Sequence, residues 1–175
     1  MAPIGRRGLF RELRSVRSKE AEFPMRRRPP GAVPEAEFLA GCTACMACVE
    51  ACPPRAIHTL AEGVRPGAGT PVMVPDARPC SMCEGFPCIA ACEPAVLIPF
   101  EGTSWPLGSV VVDPTHCLPF RGPECGACQG LCPAGVEALR LQRGRPVIDE
   151  AQCVGCGLCI EACPTRPAAL QLVPL

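Results

Sequence analysis

The chain has 175 residues, no formal net charge, six Phe, one Trp and no Tyr, against 23 Pro, 17 Gly and 16 Cys. So few aromatics leave a thin conventional core, and so many turn formers argue against long helices. No apolar run approaches the length of a membrane span, and no P-loop, dinucleotide fingerprint or histidine constellation marks a substrate site, which points away from an enzyme.

The zero charge hides a split. Residues 1–30 carry eight Arg and one Lys against three Glu, a net +6, and residues 31–175 carry the compensating −6. The first 30 residues read as a flexible basic arm, either solvated or docking on an acidic partner. An acidic body with few aromatics argues against nucleic acid as that partner. Arg6-Arg7 followed by Gly8-Leu9-Phe10 has the look of a twin-arginine export signal. The sequence then runs through Arg11, Glu12, Arg14 and Arg17, where such a signal needs an apolar stretch. Leu9, Phe10, Leu13 and Val16 instead fit one face of an amphipathic helix. A cytoplasmic protein is the expectation, with peripheral membrane association only through a partner.

Beyond the arm, Pro34 should start a short helix through Glu35–Leu39 that delivers the chain to Cys42. Short strands are expected after each cysteine group, at Ala56–Leu60, Ala95–Phe100, Ala138–Leu141 and Ala168–Val173, and before the later groups at Val72–Val74, Val110–Val112 and Val147-Ile148. Leu139–Asp149 reads as a hairpin turning at Arg143-Gly144-Arg145. Glu62–Pro71 and Glu101–Gly108 read as loops, with Trp105 of the second a packing residue.

The cysteines form four groups of four. Cys42, Cys45, Cys48 and Cys52 are spaced C-x2-C-x2-C-x3-C before Pro53, and Cys153, Cys156, Cys159 and Cys163 repeat that spacing before Pro164. This run is the bacterial signature for ligating [4Fe–4S] clusters. Cys80, Cys83, Cys88 and Cys92 follow C-x2-C-x4-C-x3-C, and Cys117, Cys125, Cys128 and Cys132 follow C-x7-C-x2-C-x3-C. Three cysteines two residues apart let one loop wrap three corners of a cube. The fourth, one helical turn on, serves a neighbouring cluster in two-cluster ferredoxins. Sixteen thiolates thus match four [4Fe–4S] clusters. A disulfide scaffold, structural zinc and a thioredoxin-like C-x-x-C site explain the grouping less well. The implied fold is α+β: bacterial-ferredoxin-like two-cluster domains, tandem or nested, with short helices, small β-hairpins and long loops.

The outer two groups are regular and the inner two irregular. That symmetry favours nested pairing, with residues 31–68 plus 145–175 as an outer domain and 69–144 as an inserted inner one. Sequential pairing, group one with two and three with four, is the alternative.

Arg28-Pro29-Pro30-Gly31-Ala32-Val33-Pro34 running through Phe38-Leu39 into Cys42 resembles the lead-in of NapG/MauM-type ferredoxins, as do Gly69-Thr70-Pro71, Pro79-Cys80-Ser81-Met82-Cys83-Glu84 and the widened Cys117–Cys125 spacing. The opening Arg6-Arg7-Gly8-Leu9-Phe10-Arg11 is closer to NapF-type proteins. The resemblance covers roughly residues 28–175. It implies a four-cluster polyferredoxin passing electrons to or from a larger oxidoreductase complex, or a maturation ferredoxin that docks on an apo-oxidoreductase and assists cofactor loading. It also implies nested ligand sets: Cys42, Cys45, Cys48 and Cys163; Cys153, Cys156, Cys159 and Cys52; Cys80, Cys83, Cys88 and Cys132; Cys117, Cys125, Cys128 and Cys92. Glu93 stands where a proline usually follows the fourth cysteine, which would loosen that turn. The two histidines, His58 and His116, are lone residues; His116 beside Cys117 reads as a partly exposed loop histidine, with tuning of a cluster through a hydrogen bond near a sulfur as the alternative.

Overall fold

In the computed structural model, residues 26–133 and 135–174 are described. The twin arginines and the amphipathic segment lie outside the described residues.

Pro34, with φ fixed near its ring value and no N–H to lose, occupies the N-cap of α1 (Glu35–Gly41). Glu35 and Glu37 suit the positive end of that helix, and Phe38, fully buried, is its inward residue. The other helices are single turns: α2 (Ala47–Glu50), α3 (Pro87–Ala90), α4 (Leu118–Arg121) and α5 (Leu158–Glu161). The strands are β1 (Ile57–Thr59), β2 (Pro71–Met73), β3 (Ser109–Val112), β4 (Leu139–Gln142), β5 (Arg145–Ile148) and β6 (Leu170–Val173). Six of the seven apolar stretches become strands at nearly the expected bounds, and the hairpin turns at Arg143-Gly144, both with positive φ. The seventh, Ala95–Phe100, contributes only the isolated bridge Ala32↔Leu97. Among the described residues no helix is long and apolar enough to cross a membrane.

The pairings divide the chain into two consecutive halves. β1 pairs with β2 between the first and second cysteine groups, and the Ala32–Leu97 bridge joins the segments before and after them. β4 pairs with β5 between the third and fourth groups, and β3 pairs with β6 across them. Both halves therefore have one topology: a hairpin between two cysteine groups and an outer antiparallel contact closing the ends. The nested domains, 31–68 plus 145–175 around 69–144, are corrected on this point, since the β1–β2 and β3–β6 ladders would each cross their boundaries. One apolar cluster centred on Phe38, Ile57, Met73 and Leu97 fills the first half, and a second around Val110, Leu139, Ile160 and Leu170 fills the other.

The halves meet at the loop of the fourth group. The Cys80 N–H donates to the Cys156 carbonyl at 2.8 Å, and the Leu107 N–H donates to the Val154 carbonyl at 2.8 Å. A Cβ on Gly155 would stand 2.6 Å from Gly108, and one on Gly157 would collide with the Pro75 carbonyl. Backbone meets backbone there, at positive φ, so only glycine fits.

The end of the expected arm is also corrected. Residues 26–30 belong to the folded body. Arg27 Nε donates to the Leu107 carbonyl at 2.7 Å, and the Met73 N–H donates to the Arg27 carbonyl at 2.7 Å. Arg28 is buried. Its Nε and Nη2 donate to Glu35 at 2.8 and 2.7 Å, and its Nη1 donates to Thr70 Oγ1 at 2.9 Å and to the Pro71 carbonyl at 2.7 Å. The guanidinium lies 4.4 Å from the centroid of the Phe38 ring. One planar fork thus ties the entering chain to α1 and β2.

Trp105 packs, as read: its ring stands 4.9 Å from Phe100, which stands 4.9 Å from Phe86.

Replacing Arg28 with Ala should cost about 2 kcal/mol, because four hydrogen bonds vanish and the Thr70 and Pro71 acceptors stay buried. Anaerobic thermal unfolding should show a midpoint lower by roughly 4–8 °C in a chain of this size. Arg28→Lys should recover little, because a point charge does not replace the fork.

Candidate metal centres

The cysteine loops share a backbone device. In the first group, Ala44 and Met46 flank Cys45 at φ 53° and 69°. In the fourth, Gly155 and Gly157 flank Cys156 at 63° and 88°. In the second, Met82 precedes Cys83 at 46° and Phe86 precedes α3 at 42°. Left-handed residues among ordinary ones turn successive N–H groups to one side and form nests suited to a negatively charged guest. Met46, Phe86 and Gly157 are also the N-cap residues of α2, α3 and α5, the turns that carry Cys48, Cys88 and Cys159. A non-glycine residue at positive φ is uncommon and needs support from its surroundings.

Each helical turn hands the chain to the fourth cysteine of its group, and a tight turn follows. The Arg55 N–H donates to the Cys52 carbonyl at 3.0 Å and the Ala95 N–H donates to the Cys92 carbonyl at 3.1 Å. Glu93 in place of proline therefore leaves the turn intact.

The sixteen thiols are free, and twelve of them stand around three common hollows. Cys42, Cys45, Cys48 and Cys92 line one of about 370 Å³. Cys52, Cys80, Cys83 and Cys88 line another of about 310 Å³, and Cys117, Cys125, Cys128 and Cys163 a third of about 360 Å³. Cys132 lies close enough to Cys153, Cys156 and Cys159 for their charges to act on one another. Three hollows of similar size, each with four cysteines, suit guests of one kind. No three His, Cys, Asp or Glu side chains among the described residues converge tightly enough to hold a lone metal ion. Four thiols spread around a hollow suit a cluster, with one ligand per corner, better than a single cation.

The nested ligand sets are corrected by this geometry. Cys163 stands with Cys117, Cys125 and Cys128 rather than with Cys42, Cys45 and Cys48. Cys52 stands with Cys80, Cys83 and Cys88 rather than with Cys153, Cys156 and Cys159. Cys92 completes the first cage and Cys132 the fourth. The reason is topological: each hairpin folds consecutive groups face to face, so the fourth cysteine of one group reaches only the neighbouring loop of its own half.

Burial sets the thiol chemistry. Burial, then the neighbours Cys92, Cys42 and Cys45, pushes the Cys48 thiol up to about 11. Burial chiefly pushes Cys80 up to about 11, and Cys88 and Cys159 up to about 12. Cys163 goes the other way. Burial would raise it, but the Thr165 hydroxyl at 3.2 Å and surrounding N–H groups, Ala169 among them at 3.4 Å, outweigh burial and lower it. Cys52 accepts a hydrogen bond from the Ala56 N–H at 3.3 Å.

His116 does not face a sulfur. Its Nδ1 lies 2.7 Å from Asp113 Oδ2, within a turn in which the Asp113 carbonyl accepts from the Cys117 N–H at 3.1 Å. Asp113 Oδ1 also accepts from the Thr115 N–H at 2.8 Å. Side-chain hydrogen bonds from Thr115 and then His116 hold the Asp113 carboxyl down to about 2. Asp149 builds the same turn before Cys153, accepting from the Cys153 N–H at 2.9 Å and the Ala151 N–H at 3.1 Å. These two aspartates were not singled out from the sequence. An Asp four residues before the first cysteine, a residue prone to such turns, was the available signal.

A family description, 4Fe-4S dicluster domain, matches residues 109–164, a span that holds the whole third and fourth groups. Among curated proteins, the methylamine utilization ferredoxin-type protein MauM of Methylophilus methylotrophus is 37% identical over 158 residues, covering 84% of this chain and 70% of that protein. The ferredoxin-type protein NapG of Escherichia coli (strain K12) is 35% identical over 168 residues, covering 86% of this chain and 71% of its own. The ferredoxin-type protein NapF of the same strain is 31% identical over 140 residues, 78% of this chain and 79% of NapF. No solved structure matches.

Two outcomes check the cages. Cys92→Ser should alter the same cluster signal as Cys45→Ser, and Cys163→Ser the same signal as Cys128→Ser, in electron paramagnetic resonance of the reduced protein. A Cys163→Ser spectrum matching that of Cys45→Ser would restore the nested order. Because most of the shifted thiols are raised, they stay protonated at neutral pH, and a metal must displace those protons. Iron and sulfide uptake by the metal-free chain should therefore become more complete as pH rises from about 7 to about 9, toward those raised values.

Proposed function

We propose, for a chain that belongs to the MauM/NapG ferredoxin-type iron–sulfur proteins, that it holds four [4Fe–4S] clusters and relays single electrons to or from a larger oxidoreductase complex. Cys42, Cys45, Cys48 and Cys92 would hold one cluster, and Cys52, Cys80, Cys83 and Cys88 the next. Cys132, Cys153, Cys156 and Cys159 would hold a third, and Cys117, Cys125, Cys128 and Cys163 the fourth. A bound [4Fe–4S] cluster supplies one-electron redox chemistry at a potential set by its surroundings.

The observation that carries this reading is the joint between the halves. The two inner cages touch through their own ligand loops, at the Cys80 N–H···O=C Cys156 hydrogen bond. Within the second half, Cys159 feels the charge of Cys128, so those two cages are neighbours as well. In the first half, α2 packs on α3, the turns bearing Cys48 and Cys88. The four cages therefore follow one another in the order first, second, fourth, third group. A scaffold that merely stored metal would gain nothing from this continuity. Arg26, Arg27 and Arg28, drawn into the body, are not spare charges for an arm that docks on an apo-enzyme.

Protein purified without oxygen should contain about sixteen irons and sixteen acid-labile sulfides per chain, the content of four cubanes. After reduction it should show magnetically coupled paramagnetic signals. Zinc without sulfide, or iron for markedly fewer clusters, would refute the proposal.

A further inference from the structure

The third cysteine group departs from the others. Seven residues separate Cys117 from Cys125, and they form α4 followed by Gly122 at φ 119°, Pro123 and Glu124. Opposite this rim stands the β4–β5 turn at Arg143-Gly144. Arg145 ties the two together: its Nε donates to the Pro119 carbonyl at 3.3 Å, and its guanidinium lies 4.9 Å from the centroid of the Phe120 ring. Between them lies an open hollow of about 960 Å³, lined by Pro119, Glu124, Cys125, Gly126, Arg143 and their glycine and proline neighbours.

Two features set this hollow apart. Pro119 and Cys125 line both it and the cage of Cys117, Cys125, Cys128 and Cys163. A group seated in the hollow is thus separated from that cage by one proline and one ligand. The second feature is charge. Arg121, Arg143 and Arg145 are exposed around it, with Glu124 the acid of the lining. This is a local positive patch on a body whose net charge is −6. At the other end of the row, Glu50 and Glu93, near the cage of Cys42, Cys45, Cys48 and Cys92, are exposed acids.

We propose that the hollow over Cys125 is the docking seat for an electron-transfer protein that presents an acidic surface, and that this end of the row exchanges electrons with it. The proposal rests on the reading of the four cages as cluster sites. Opposed charge steers such an encounter and fixes its register, and the effect weakens as salt rises.

The test uses the full chain with its iron–sulfur content counted, and two probes of opposite charge, acidic cytochrome b5 and basic cytochrome c. Binding of cytochrome b5 is measured by titration calorimetry at low and moderate salt. The Arg121→Glu/Arg143→Glu variant should bind it about tenfold or more weakly, with a flatter salt dependence. Glu124→Gln, which removes the one opposing charge of the lining, should bind it more tightly and guards against a double variant that folds poorly. Equal affinity in the parent and the double variant, or no gain in Glu124→Gln, overturns the docking proposal. A separate arm examines the underlying reading. The chain reduced with dithionite and freed of it is mixed with either ferric cytochrome, one electron passing from the protein to each haem iron. Reduction of at least one cytochrome keeps the carrier reading whatever the binding result, and failure to reduce either overturns the carrier reading itself.

Discussion

Each half is held together by an exchange. The loop of one cysteine group surrounds three corners of a hollow, and the fourth cysteine of that group crosses to the hollow of its neighbour. Cys52 and Cys92 cross in the first half, Cys132 and Cys163 in the second. Neither hollow of a half is complete without the other group, so the two groups must face each other. The hairpins β1–β2 and β4–β5 turn the chain back to make them do so, and the outer contacts, Ala32–Leu97 and β3–β6, close the ends. Strands of three or four residues, too short to stand alone, suffice for this because the cages do the anchoring.

The same constraint explains a core in which cysteines replace aromatics. Eight of the sixteen thiols are among the buried apolar side chains, beside a single buried Phe among the described residues. Around Phe38, the Arg28 fork supplies a polar anchor where a larger apolar residue would otherwise sit. Six buried thiols, Cys48, Cys80, Cys88, Cys117, Cys128 and Cys156, are pushed toward their neutral forms, so each favours a proton or a metal over a bare thiolate, while the hydrogen bonds to Cys163 lower it.

Much of this was legible in the sequence because the signals are local. Cysteine spacing marks the loops, Pro34 marks α1, and Arg143-Gly144 marks the hairpin turn. The pairing of groups was not legible, because spacing records how one loop is shaped and says nothing of which loop it faces. The similarity of the first and fourth groups reflects shared loop conformation, seen in Ala44 and Met46 against Gly155 and Gly157, and not proximity. The glycines also signal less than they could: the left-handed positions are glycines in the fourth group but Ala, Met and Phe in the first two, where only the assembled loop reveals them. Arg28 looked like part of a basic run, and its burial depends on Glu35, Thr70 and Pro71 coming together.

Closure of each half on itself bears on how the protein is made. Every strand partner and every cage cysteine of the first half lies before residue 108, so that half can close its cages without a cysteine of the third or fourth group. No half-cage there has to wait for the end of the chain, although Val154, Cys156 and Leu158 of the fourth group's loop also pack on its core. Under the nested arrangement the first cysteines translated would have waited for the last. The glycine-lined joint is the contact that does wait for the fourth group, because its backbone hydrogen bonds run from Cys80 and Leu107 to Cys156 and Val154.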